Sequence, residues 1–62
     1  PNDIAVHLRY IILQYRNGNI KTAYSLLSAA INNEENIREI IEEIYPELLN
    51  DSNIQKILEQ NN

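Results

Sequence analysis

Few side chains in this sequence have the types and spacing that chemistry needs. His7 is the only histidine, and cysteine and methionine are absent. A metal site or a histidine-paired thiol therefore has too few parts, and with Tyr10 and Ile11 one helical turn away His7 reads as a surface or interface residue. Glu35, Glu39, Glu42 and Glu43 recur at helical spacing. Carboxylates side by side on a helix lack the turn geometry and the oxygen count that Ca²⁺ requires, so this ladder reads as a solvated acidic face. Ser25 and Ser28 have no acid–base partner within sequence reach, and nothing resembles a phosphate loop or a nucleophile elbow. A chain this short also leaves little room for a rigid shell around a reacting group. We expect no catalytic residue, no metal, no cofactor and no enzymatic activity.

Recognition chemistry is better represented. Val6, Tyr10 and Leu13 stand at i, i+4 and i+7, with Arg9 and Arg16 along one flank and His7 and Gln14 along the other. A tyrosine and arginines beside aliphatic residues match the composition of interface hot spots. These five residues, Val6, Arg9, Tyr10, Leu13 and Arg16, are the candidate partner-binding set. The competing expectation is that the helix carrying them lies at the centre of the fold, with helices two and three covering opposite sides.

The elements that must hold this set follow from hydrophobic periodicity. Residues 3–16 predict a first helix, capped by Asn2 or Asp3, with Ile4, Leu8, Ile11, Ile12 and Tyr15 as its core stripe. Asn17-Gly18-Asn19 ends it, because glycine takes the left-handed position after a helix without a Cβ clash, and Asn19 can cap the next helix. So short a turn makes an antiparallel hairpin. Helix two, residues 20–31, places Ile20, Ala23, Tyr24, Leu27, Ala30 and Ile31 along one face, the two alanines allowing helix one to approach closely.

Asn32 with Glu35 predicts the cap of a third helix over 34–45, with Ile37, Ile40, Ile41, Ile44 and Leu48 on its core side. Pro46 has no amide proton and crowds the preceding turn, so a break or kink is expected near Tyr45, with a new turn at 46–49. Ser52 and Gln55 suggest a capping box for a short fourth helix over 53–60, anchored by Ile54, Ile57 and Leu58. The fold class expected is all-α: a single domain of residues 1–62, three main helices and a short C-terminal fourth, built on an antiparallel helical hairpin.

Hydrophobic residues make up 44% of the chain and the mean hydropathy is −0.42, a soluble composition with enough apolar positions for a core. The longest unbroken apolar run, Tyr10 to Leu13, is far short of the roughly 20 residues that span a bilayer. The expectation is a cytoplasmic protein without membrane association. A chain of about 60 residues hides only about 60% of the surface its unfolded form exposes, and with neither disulfide nor metal to assist, self-association or a partner is the remaining source of stability. Charge is split: residues 1 to 31 carry Arg9, Arg16 and Lys21 against Asp3, a net +2, and residues 32 to 62 carry Arg38 and Lys56 against eight carboxylates, a net −6.

Gly18-Asn19-Ile20 recurs as Ser52-Asn53-Ile54 at the 34-residue offset of tetratricopeptide repeats. Gly18, Ile20, Ala23, Leu27, Ala30 and Ile31 resemble the turn and second helix of such a repeat, over about 17 residues. The second copy has only Ser52 and no alanines. That resemblance implies a protein- or peptide-binding module. Gly18, Asn19, Ala23 and Ile31 also resemble a Fis-type helix-turn-helix, but the following helix would present Glu34, Glu35, Glu39, Glu42 and Glu43 to phosphates against Arg38 alone. We therefore expect a non-catalytic protein-interaction module, homodimeric or bound to a larger protein. The alternatives are a small nucleic-acid-associated regulator and a small acidic inhibitor of the kind mobile elements and phages encode.

Overall fold

In a computed structural model, residues 3–31 and 36–60 are described. Four α-helices occur among them: α1 (Ile4–Arg16), α2 (Ile20–Ala30), α3 (Ile37–Ile44) and α4 (Ser52–Glu59), with a 3-10 helix at Pro46–Asn50 between the last two. The class is all-α, as the periodicity predicts. The Cα radius of gyration is 10.4 Å, against about 10.6 Å for a compact domain of this length.

Local chemistry sets each boundary. Asp3 caps α1, its Oδ1 accepting from the Ala5 amide at 3.0 Å. At the other end Gly18 takes φ +91°. That value lets the Asn19 amide donate to the Gln14 carbonyl at 2.9 Å and the Gly18 amide to the Tyr15 carbonyl at 3.1 Å. These are the two bonds of a Schellman closure, which satisfy carbonyls the helix would otherwise leave bare. The Asn19 side chain does not cap α2. It donates instead to Gln14 Oε1 at 2.8 Å, holding the turn to the helix it follows.

The expected cap at Asn32 to Glu35 lies outside the described residues. Within them α3 begins at Ile37, three residues later than the pattern predicts, after Asn36 at the non-helical φ −107°, ψ 30°. Pro46 ends the helix outright rather than kinking it. Tyr45 is driven to φ −160°, ψ 74°, because proline bars the helical region to its predecessor, and Pro46 then opens the 3-10 turn that seats Leu48 in the core. The predicted Ser52 cap is replaced by Asp51, whose Oδ1 accepts from the Asn53 amide at 2.8 Å. Ser52 is the first helical residue, and Gln55 turns away to donate to the Leu49 carbonyl at 2.7 Å.

α1 packs on α2, α3 packs on α1, and α4 lies against α2 and the 3-10 turn. The core is aliphatic: Leu8, Ile11, Ile12, Ala23, Leu27, Ala30, Ile31, Ile37, Ile41, Leu48, Ile54 and Ile57 are all buried. Every one belongs to a stripe that the 3.6-residue period marks out. Ile4, Tyr15, Tyr24, Ile40, Ile44 and Leu58 pack against its margin, joined by Leu26, Tyr45 and Leu49, which the stripes omit. Ala23 is fully buried.

Candidate protein-docking face

α1 is the element that carries the candidate set, and its two faces have separate fates. Leu8, Ile11 and Ile12 point into the core. At 100° per residue Val6, Tyr10 and Leu13 fall on the opposite side, where they are 56%, 53% and 52% exposed, the exposed large hydrophobics of the described residues. α2 and α3 both pack on the core side of α1 rather than on opposite sides of it. The stripe that central burial would have covered is open.

The three side chains span two helical turns, about 10 Å. Arg9 and Arg16 are exposed along one edge, His7 exposed and Gln14 half-buried along the other. The arginines differ in what they touch. The Arg16 guanidinium carbon sits 5.5 Å from the centroid of the Tyr45 ring, within cation–π range, so Arg16 helps fasten α1 to the α3 break as well as edging the stripe. The composite is an apolar strip with arginines along one side only.

A second polar arrangement escapes the sequence patterns. Asp51 Oδ2 accepts the hydroxyls of both Tyr15 and Tyr24, each at 2.7 Å, while Oδ1 caps α4. The two rings stand 6.4 Å apart, tilted by 49°, and Asn53 Nδ2 reaches the Tyr24 hydroxyl at 3.4 Å. Hydrogen bonding to the carboxylate favours the neutral phenol, and partial burial adds to it, so Tyr15 is pushed up to about 12. Tyr24 is raised for the same first reason, with Asn53 opposing. The phenols in turn hold Asp51 below the usual carboxylate range.

Chemically this cluster is a clasp. Phenols that keep their protons until strongly alkaline pH, and a carboxylate that stays ionised below its usual range, do not exchange protons near neutrality. The available signal was two tyrosines at the edge of core stripes, whose hydroxyls need partners when half-buried, facing an aspartate that precedes a helix. Arg38 is likewise committed within the fold, donating to Gln55 Oε1 at 2.9 Å.

The remaining candidates stay apart. Among the described residues no group of three or more histidine, aspartate or glutamate side chains is placed to hold a metal ion. Glu39, Glu42 and Glu43 are exposed on the outer side of α3, Ser25 is exposed on α2 and Ser28 half-buried. No helix among the described residues is long and apolar enough to cross a membrane. No protein-family model matches the chain, and neither a curated protein nor a solved structure matches it.

Proposed function

We propose that this chain is a non-catalytic protein-interaction module that docks through the outer face of α1. The observation that carries the reading is the grouping of Val6, Tyr10 and Leu13, each more than half exposed, in one stripe on one helix. Isolated apolar residues on a surface need no explanation, but a contiguous strip edged by arginine has the make-up of an interface core and rim. The docking partner is a second copy or another protein, and the cytoplasm is the setting the composition favours. The likeness of residues 18–31 to a tetratricopeptide hairpin supports the same class. The exposed Glu39, Glu42 and Glu43 weigh against duplex nucleic acid at α3, since phosphates repel carboxylates.

Fluorescence-detected sedimentation of the labelled chain, alone and in an extract of its source cells, tests the reading. Wild type should sediment faster than a 7.2 kDa monomer in at least one setting, and Leu13→Glu should return it to monomer with its helical circular dichroism unchanged. A wild-type monomer in both settings, or a Leu13→Glu variant that still associates, would overturn it.

A further inference from the structure

Resting on that docking reading, we infer that the occupant of the α1 strip is an amphipathic helix of another protein, with apolar residues facing Val6, Tyr10 and Leu13 and carboxylates along one edge. The argument is one of charge and symmetry. The strip runs two turns along one helix, which suits a second helix laid along it with side chains at i, i+3 or i+4, and i+7. Its arginines lie on one edge only: Arg9 and Arg16 on one side, Gln14 with His7 on the other. A partner therefore gains most from carboxylates on the arginine edge.

A second copy of the chain fits this pattern poorly. In an antiparallel pair of α1 helices, a twofold axis through Tyr10 matches each edge with the same edge of the other copy, and the two Arg9 guanidiniums stand side by side. Like charges facing each other at an interface oppose association. The acidic outer face of α3, Glu39, Glu42 and Glu43, cannot serve as the complement either, because it offers carboxylates without an apolar strip between them. Screening at physiological salt confines the attraction to about 8 Å, so the rim arginines, rather than the net charge of −4, decide which helix docks.

The test uses two display libraries of helical peptides about five turns long, with one shared apolar register and either glutamate or lysine along one edge, panned against the full chain. The glutamate set should be enriched about tenfold over the lysine set, with binding that weakens as salt rises. Arg9→Glu should abolish or reverse that preference, and Leu13→Glu should remove capture of both sets. Both variants should keep the wild-type circular dichroism. Equal enrichment, or preference for lysine, would overturn the inferred occupant while leaving the docking face intact. Capture of neither set together with concentration-dependent self-association would give the strip to a second copy. Binding to phosphatidylserine vesicles in place of peptides would give it to a membrane surface, and absence of all three would remove the docking reading as well.

Discussion

The Tyr15 hydroxyl donates to Oδ2 of Asp51 at 2.7 Å, across 36 residues of chain. Because Tyr24 donates to the same oxygen and the other oxygen caps α4, one carboxylate joins the end of α1, the middle of α2 and the start of α4. In a domain this small the junction matters, since the aliphatic core alone leaves stability marginal.

Asp51→Ala should be among the most damaging changes outside the core. It removes a helix cap and leaves two phenols without their acceptor, a loss of about 1 to 3 kcal/mol, readable in urea unfolding followed by circular dichroism. Asp51→Asn keeps a capping oxygen and should cost less. Equal stability of Asp51→Ala and wild type would show that the clasp contributes nothing.

The clasp also predicts two pH limits. Asp51 has a lower carboxyl pKa folded than unfolded, so its stabilisation is complete above the unfolded value of about 3.9 and is lost as pH falls through the lower folded value. Tyr15 shifts the other way, to about 12. Its contribution is complete below the unfolded value of about 10 and is lost as pH rises from there through the folded value. Tyrosinate absorbance at 295 nm should show Tyr15 and Tyr24 titrating above the ordinary tyrosine value, with the delay abolished in Asp51→Ala. A single transition near pH 10 in wild type would contradict this.

Gly18 is the one glycine, and its φ of +91° is its whole requirement. A Cβ there would meet nothing within 4 Å, so Gly18→Ala costs backbone strain without a clash, about 1 kcal/mol. Asparagine tolerates this region better, and Gly18→Asn should recover part of the loss in thermal unfolding. A larger penalty for asparagine than for alanine would argue against the left-handed closure.

The two faces of α1 should respond oppositely to truncation. Leu8→Ala, at a fully buried site, should cost about 2 to 5 kcal/mol and bring the domain close to unfolding. Val6→Ala and Leu13→Ala should stay within about 0.5 kcal/mol of wild type. Equilibrium unfolding of the three variants checks the contrast, and comparable losses would mean that the outer strip is part of the core.

Much of this fold is legible in the sequence because helical period and core burial are one geometric fact. Each buried residue lies on a stripe, and Val6, Tyr10 and Leu13 separate from Leu8 and Ile11 on the same helix by angle alone. Whether that second stripe was covered depended on where α2 and α3 pack, which periodicity within α1 does not encode. The boundaries that differ have local causes. Asp51 and Ser52 are adjacent and both capable caps, and the choice falls to Asp51, which the two tyrosines also engage. Arg38, Gln55 and the Leu49 carbonyl are joined only by tertiary packing, beyond the reach of spacing rules.

Site-specific photo-crosslinking in the source cells, with a benzophenone amino acid at position 10 and at the exposed α2 position 25, tests the central claim most directly. The docking face predicts a discrete adduct from position 10, none from position 25, and loss of the adduct when Leu13→Glu is added. Equal adducts from both positions, or an adduct at position 10 that survives Leu13→Glu, would contradict it.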